Sequence, residues 1–594
     1  MSVDLEHEPA RTLTVLYATE TGTAQEVADR VAAQCRRIHV RACVLSMEDY
    51  SPEELINESL VIFSVATTGS GKEPRAMTNL WNLLLRSDLP DDLFEDLDFA
   101  IFGLGDTAYE KFCWPAKLLS RRLVSLGATE ICARGEGDEQ HQLRIDGAFQ
   151  PWLKNLSDAI LQLYPLPLGV TVLPEDSLPP PRVSVTDTTM RPHMKCEESM
   201  SKDNGYFTAT VECNRRITAA DWYQDVRHFE LDFEDEIGYE PGDIAVIHPE
   251  VPAEDVDAFL TTISYANSAD DAIAITHVLQ DQTLPNHLPP VTTLRALFTR
   301  YLDITAVPRR SFFGLLRHFV TEELEREKLD EFMSDEGADE LYEYCQRPHR
   351  MIREVLEEFR SARIPREYIF DLFPPLRPRQ FSIASSVKHH KRQVHLCVAI
   401  VQYRTMLKIP RKGICTDYMA RLRPGDKLPV GFRKGLFKLP EDITTPIVCV
   451  GPGTGVAPMR AIIEDRTSEG AANNALYFGC RSASKDQHYG DEWADYAARG
   501  MLTYRAAFSR DGPEGAPRTY VQHLMREDAE RVWELLGVQR GWVFISGSAN
   551  KMPADVKAAI REAARKGAGK TDDEAQEFVS TLEKEGRLIE ECWS

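Results

Sequence analysis

The chain has 594 residues, 43% hydrophobic and 27% charged, enough to bury the cores of three or four globular domains. Its formal net charge of −24 weighs against nucleic acid and anionic membrane as partners. No apolar run is long enough to span a bilayer, Met1–Ala10 carries Asp4, Glu6 and Glu8 where a signal sequence would be apolar, and the twelve cysteines stand singly, so the expectation is a cytoplasmic protein with reduced thiols and no metal centre of its own.

From the N-terminus, short apolar runs alternate with longer periodic stretches. Leu13–Tyr17, Leu60–Val65, Phe99–Gly103 and Ile131–Ala133 have the unbroken apolar character of strands buried on both faces. Thr23–Cys35, Met77–Arg86 and Ala116–Leu126 carry the periodicity of intervening helices. That rhythm predicts an open, doubly wound sheet over 11–160 that binds ligands beyond the carboxyl ends of its strands. Met1–Ile160 holds 26 acidic and 15 basic residues, a net of −11 (15 − 26). A charged partner of this module should therefore present a basic face, with Glu136, Asp138, Glu139 and the run Asp91–Asp98 as the expected docking surface.

From Pro165 the pattern fails. Pro167, Pro174, Pro179-Pro180-Pro181 and the polar tail Ser199–Asn204 predict a semi-rigid linker over 161–205. Strand-like segments resume at Thr208–Cys213, Arg227–Leu231 and Ile244–His248, yield to a mostly helical stretch over about 253–370, and return at Arg379–Ser382 and Val394–Val401. A final βα series follows at Ile447–Val450, Ala475–Phe478, Leu502–Phe508 and Val543–Ile545.

Thr19-Glu20-Thr21-Gly22-Thr23-Ala24 joins the first strand to the helix opening at Thr23. Such a loop aims backbone amides and hydroxyls at one point, and the helix end adds partial positive charge, which suits a phosphate monoester. It contains no Lys or Arg, so neutral donors alone are expected to hold the phosphate, and a nucleoside triphosphatase is disfavoured. A bare helix cap is the bland alternative. Two more loops follow later strands: Ala66-Thr67-Thr68-Gly69, and Gly103-Leu104-Gly105-Asp106 with Tyr109 and Phe112-Cys113 after it. A flat tricyclic ring needs glycine-bearing loops for close approach and an aromatic face to stack on, for which Tyr109 is the candidate. Asp138 and Glu139 are expected beside the ring edge and ribityl chain. Each residue alone has a structural explanation; three loops at three successive strand ends do not.

This segment resembles the FMN domain of the diflavin reductases, and the rest of the chain extends the resemblance. Tyr239-Glu240-Pro241-Gly242-Asp243 resembles the early barrel turn of their FAD domain. Arg377-Pro378-Arg379-Gln380-Phe381-Ser382-Ile383-Ala384-Ser385-Ser386 resembles the flavin signature of ferredoxin–NADP reductase-like proteins. The resemblance implies that Arg379 contacts the FAD pyrophosphate, Phe381 packs on the isoalloxazine and Ser382 sits near N5, with Gln380 among the contacts. Gly413-Ile414-Cys415-Thr416 resembles the second pyrophosphate loop, at a helix N-terminus, and Arg350 is a further candidate FAD contact.

The turn Gly451-Pro452-Gly453-Thr454-Gly455-Val456-Ala457-Pro458 follows an apolar strand and opens a helix, and its glycines let a dinucleotide approach closely. Ser509-Arg510 and Arg518-Thr519-Tyr520-Val521-Gln522 offer two guanidiniums, hydroxyls and an aromatic ring, a set that suits a 2′-phosphate and a stacked adenine. NADPH is therefore favoured over NADH, with Asp555 as a further contact. Cys480, read from the residues alone, is a buried small hydrophobe. The resemblance instead places it at the nicotinamide, working with Ser382 and the carboxylate of Glu591. It also implies that Trp593, on a free tail, stacks over FAD and moves aside for nicotinamide. Two residues depart from the microsomal cytochrome reductases, which have Asp where Glu591 stands and an aromatic where Thr68 stands.

The implied architecture is α/β and multidomain. It comprises a flavodoxin-like doubly wound FMN domain (11–160), the linker (161–205), a FAD-binding β-barrel with a helical insertion (206–440) and a Rossmann-like NADP(H)-binding domain (441–594). Ala66–Gly71 with Pro74, Trp81 and Leu89-Pro90 is most similar to the NADPH-dependent diflavin oxidoreductases of cytosolic iron–sulfur protein assembly. That implies electron flow from NADPH through FAD and FMN to an iron–sulfur partner of the anamorsin type. The alternatives are a sulfite reductase flavoprotein, a cytochrome reductase-like donor, and a flavin-binding interaction protein without turnover. Ser382, Cys480, Glu591 and Trp593 speak for turnover.

Overall fold

The computed structural model describes residues 11–69, 71–109, 111–174, 176–192, 200, 205–334, 336–405, 408–513, 515 and 517–593. The expectations for Met1–Ala10, Ser70, Ser199, residues 201–204 and Ser594 lie outside the described residues. Two compact units divide the chain, one of Met1–Met194, Ala253–Arg377 and Thr405–Leu407, the other of Lys195–Pro252, Pro378–Arg404 and Lys408–Ser594.

The first unit is built on a parallel sheet. In chain order come β1 (Thr12–Ala18), α1 (Thr23–Arg37), β2 (Arg41–Ser46), β3 (Leu60–Ala66), α2 (Thr78–Leu84), β4 (Asp98–Gly105), α3 (Trp114–Ser125), β5 (Thr129–Glu130), β6 (Gly135–Asp138) and α4 (Asp146–Leu163). The strand order is β2-β1-β3-β4-β5, with β6 also paired to β4. Helices cover both faces, so the strands are apolar throughout: Val15, Ile62 and Phe102 face one core, Leu16, Phe63 and Ile101 the other. One expectation fails and one strand was not expected. Ile131–Ala133 is the gap between β5 and β6. Edge strand β2 escaped notice because its buried residues alternate with exposed ones, giving no continuous apolar run.

The same unit contains the stretch 253–377. Helices dominate it, among them Ala253–Thr262, Arg310–Leu316 and Glu323–Met333. Yet Ile273–His277 pairs antiparallel with Val291–Thr292 and with Val183–Asp187. The expected linker thus contributes a strand, whose partner lies far along the chain and could not be foreseen from proline content. Just before that strand, the Arg182 guanidinium meets Asp371 at 2.9 Å and Asp29 of α1 at 3.6 Å.

In the second unit, six antiparallel strands run in the order Arg379–Ser382, Ile244–Ile247, Lys427–Arg433, Tyr206–Arg216, Val226–Phe233 and Gln393–Ala399. A bridge between Ile383 and Leu396 joins the two outermost, nearly closing a barrel around Phe229, Leu231, Ile247 and Leu396. A parallel sheet follows, ordered Thr503–Phe508, Asn474–Cys480, Ile447–Val450, Trp542–Ser548 and Leu588–Trp593. The C-terminal segment, expected as a free tail, is therefore an edge strand, paired residue by residue with Trp542–Ser548. Barrel and sheet are joined beneath the flavin motif. Ser386 donates through its N–H to Glu464 (2.6 Å) and through its hydroxyl to Asp465 (2.7 Å), and Arg460 donates to the Ala384 carbonyl (2.5 Å). Among the described residues no helix is long and apolar enough to cross a membrane.

Candidate functional site

Because β1, β3 and β4 run in the same sense, the loops that follow them open on one edge of the sheet. Thr19 Oγ1 accepts the Gly22 N–H (2.8 Å), and Gly22 turns the chain into α1 at φ 95°, where no side chain caps the first turn. A helix start of this kind can receive an anion on its backbone amides. Glu20 accepts the Arg75 N–H (2.9 Å), which ties this loop to the segment beyond β3. Thr67 Oγ1 is buried with no hydrogen-bond partner among the described residues. An unsatisfied buried hydroxyl costs about 1–3 kcal/mol, so its place fits a cofactor that satisfies it. Thr68 instead donates within its own turn, to Lys72 O and Glu73 O.

Asp138 accepts from Thr107 and Gln140, and Asp106 from Ala108 and Gln140, so both carboxylates shape the loop that carries Tyr109. Burial works to raise the Asp138 pKa, but the Gln140 and Thr107 amides outweigh it and hold it below the usual carboxylate range. Glu139 is exposed and pairs with Arg144 (3.0 Å), while Glu136 is neutralised by Arg134 (2.8 Å) and Lys117 (3.2 Å). The run Asp91–Asp98 precedes β4, at the end of the sheet opposite these loops. Ala24, Leu104 and Cys113 are core residues, and burial pushes the Cys113 thiol up to about 12. The ring of Phe112 lies 5.1 Å from Lys117 Nζ. Arg377, far along the chain, packs its guanidinium beside Gly22.

In the second unit, Ser382 Oγ donates to Glu591 Oε2 at 3.5 Å, so these two expected partners meet. Among the described residues Cys480 makes no hydrogen bond to either. Its strand stands three positions from the C-terminal one, on the order of 14 Å across the sheet, and its thiol donates to Ser482 O (3.6 Å). Burial, reinforced by Asp486, raises its pKa. The residue in register with Glu591 is Ser546, fully buried, its hydroxyl without a partner among the described residues. Finding it needs the strand order, which the sequence does not display. Trp593, two residues beyond Glu591, is 41% exposed and in register with Ser548.

Helix Ile414–Arg421 opens directly after Gly413, where any Cβ would lie 2.8 Å from Val401 Cβ. Thr416 accepts the Val401 N–H and donates to Gly413 O, which fixes the loop, and Cys415 is buried in the barrel core. Arg379 is exposed, Gln380 is half-buried and Phe381 packs partly on that core. Arg350 belongs to the first unit, where it donates to Tyr344 O (3.0 Å), pairs with Glu358 and lies 4.3 Å over the Tyr344 ring.

Ser509, Arg510, Arg518 and Thr519 line a single cavity of about 210 Å³. Among the described residues neither guanidinium is ion-paired, so the cavity is a cationic pocket of the size of a phosphate group with its surroundings. Tyr520 stands exposed beside it, and Val521 is core. Gln522 donates to Asp555 (3.1 Å), so each satisfies the other. Thr454 is half-buried in the glycine turn, in which a Cβ at Gly455 would fall 2.2 Å from Ser546 O.

Three family models match the chain: a flavodoxin model over 15–152, an FAD-binding domain over 199–418 and an oxidoreductase NAD-binding domain over 449–558. Curated relatives named NADPH-dependent diflavin oxidoreductase 1 align over nearly their whole length. Those of Cryptococcus neoformans var. neoformans serotype D and Danio rerio are 41% and 39% identical to it, each over 98% of this chain and 99% of their own. That of Schizosaccharomyces pombe is 35% identical with the same coverage.

Proposed function

The chain belongs to the family of NADPH-dependent diflavin oxidoreductases, and from that premise we propose that its acceptor is an iron–sulfur protein of the anamorsin type, reduced in the cytoplasm during iron–sulfur cluster assembly. When bound, NADPH supplies a hydride, FAD accepts both electrons, and FMN releases them one at a time to a protein. The chain's own groups bind and orient. Arg510 and Arg518 would grip the 2′-phosphate, the hydrogen-bonded pair Ser382 and Glu591 would face the flavin that accepts hydride, and the loops around Thr19–Thr23, Thr67 and Tyr109 would hold FMN.

The observation that carries the acceptor reading is the charge of the segment that contains the FMN module, −11 over Met1–Ile160, which suits a partner with a basic face. The test mixes enzyme, NADPH and a purified anamorsin-type protein and follows bleaching of the iron–sulfur absorbance by stopped flow. Bleaching faster than reduction of cytochrome c or of a sulfite reductase haemoprotein at equal concentration is expected. Equal or slower bleaching overturns the assignment while leaving the diflavin chemistry intact.

A further inference from the structure

We infer that Tyr223, in the barrel, is a positioning residue of the coenzyme site: its ring holds the guanidinium of Arg481 where the diphosphate of NADPH crosses the parallel sheet. The inference rests on reading the cavity of Arg510 and Arg518 as the seat of the 2′-phosphate. That sheet runs in the order Thr503–Phe508, Asn474–Cys480, Ile447–Val450, Trp542–Ser548 and Leu588–Trp593. The cavity lies after the first of these strands, the glycine turn Gly451–Gly455 after the third, and Glu591 on the fifth. A coenzyme seated in the cavity must therefore cross the end of the second strand, about 5 Å away, before it reaches the glycine turn. In NADPH the diphosphate is the group between the 2′-phosphoadenosine and the nicotinamide riboside. Arg481 directly follows that second strand, and its carbonyl accepts the Arg510 N–H at 2.8 Å.

Among the described residues the Arg481 guanidinium has no ion pair; it lies 4.6 Å from the centre of the Tyr223 ring. The carboxylates of its own turn face backbone amides. Asp486 accepts from Arg481 (3.2 Å) and Ser482 (2.7 Å), and Asp511 from Ala483 (2.7 Å). Tyr223 is 63% exposed, too open to serve as a core residue. Yet the loop that carries it, between strands Tyr206–Arg216 and Val226–Phe233, is tied down on two sides. Within the barrel, Arg216 donates to Trp222 O (2.7 Å) and the Thr218 hydroxyl to Gln224 O (2.8 Å). Toward the sheet, the Ala219 N–H donates to Lys485 O (2.8 Å) and Lys485 Nζ to Asp221 (2.6 Å). A fixed ring attracts the guanidinium through its face and removes rotamer freedom that an incoming phosphate would otherwise have to remove. Stacking occupies only the flat face of the guanidinium, so its N–H edge stays available to diphosphate oxygens.

The experiment titrates the full-length holoenzyme by calorimetry with 2′-AMP, which carries only the phosphate of the cavity, and with 2′-phospho-ADP-ribose, which adds the diphosphate but no nicotinamide. Arg481→Gln should weaken 2′-phospho-ADP-ribose by about ten- to a hundred-fold, the range for a lost charge-assisted contact, and leave 2′-AMP unchanged. Tyr223→Leu should weaken the same ligand by about two- to thirty-fold, the range for a cation–π contact. Tyr223→Phe keeps the ring and should bind as wild type does. Combined with Arg481→Gln, Tyr223→Leu should cost nothing further. The inference is overturned if Tyr223→Leu weakens both ligands alike, if it changes neither, or if its effect persists once Arg481 is gone. Wild type that binds 2′-AMP no tighter than 5′-AMP would instead overturn the reading of the cavity itself.

Discussion

At the scale of single residues, charge without a partner marks function more clearly than charge in a pair. Arg510 and Arg518 face one cavity with no ion pair among the described residues, whereas Arg350 is fully occupied by Tyr344 and Glu358. Losing one charge-assisted contact to phosphate costs about 1.5–3 kcal/mol, roughly ten- to a hundred-fold. Arg510→Ala should therefore raise the KM for NADPH by that order and hardly move that for NADH, and equal effects on both would remove the 2′-phosphate from this cavity. A second prediction concerns His228 and His395, both buried in the barrel wall. Burial, then the neighbouring Arg460, holds them down to about 3 and about 2. Arg460 donates to His395 Nδ1 (3.3 Å), which keeps that nitrogen unprotonated. The unfolded chain takes up these protons below about pH 6.5 and the folded chain does not, so their stabilising effect is complete above that pH and is lost as pH falls. Each should steepen the loss by up to about 1.4 kcal/mol per pH unit between 6.5 and 5. His395→Gln should flatten the slope in urea titrations, and an unchanged slope would mean that His395 titrates as in water. Local motifs such as Arg379–Ser382 and Ser509–Thr519 were legible because chemistry and spacing lie in adjacent residues. The pairing of Ser546 with Glu591 was not, because it rests on two strands distant in sequence.

Among elements, the sequence was clearest where periodicity was strong and poorest where a segment depends on a remote partner. Helices α1 and α3 and the strands β3 and Ile447–Val450 announce themselves by burial pattern. Val183–Asp187 and Leu588–Trp593 do not, since each is a strand only through its pairing with Ile273–His277 or Trp542–Ser548. That pairing changes what truncation should do. Trp593→Ala removes an exposed ring and should improve NADH use with little effect on folding, whereas deleting Leu588–Ser594 strips an edge strand and its buried Leu588 and Ile589. The deletion should lower the Tm measurably; an unchanged Tm would show the strand to be dispensable. The Val183 strand is held in place by Arg182 between Asp29 and Asp371, a nearly buried triad in which burial raises the Asp29 pKa against the pull of Arg182. Removing only the cation leaves two carboxylates facing each other, so Arg182→Leu should destabilise by about 3–5 kcal/mol in urea unfolding. Adding Asp29→Asn should recover part of that loss. A cost below about 1 kcal/mol would place the triad in water.

For the whole molecule, the question is how an excess of 24 negative charges guides an electron out. Electron-transfer encounters are small and brief, so long-range attraction largely sets their rate. The acidic groups are not gathered at one spot. Glu139 lies at the loop end of the sheet, whereas Asp91, Asp92, Glu95 and Asp96 are exposed at the far end, beyond the start of β4. The seven residue steps from Asp98 to Gly105 span roughly 23 Å at strand rise, more than twice the screening length of about 10 Å at 0.1 M salt. The far cluster can steer a partner only in dilute salt, while Glu139 can touch it at any. Reduction of a basic acceptor should slow several-fold between about 0.1 M and 1 M salt, where the screening length falls to about 3 Å, and hydride delivery at saturating NADPH should not. Glu139→Lys should slow acceptor reduction at 0.1 M salt, whereas reversing Asp91, Asp92, Glu95 and Asp96 together should slow it only well below that. Stopped-flow rates across the salt series separate the two. Should the distant reversal slow transfer as much as Glu139→Lys at 0.1 M, the acceptor docks at the wrong end of the sheet for direct contact with the flavin loops. The electron would then need a route other than the exposed edge near Tyr109.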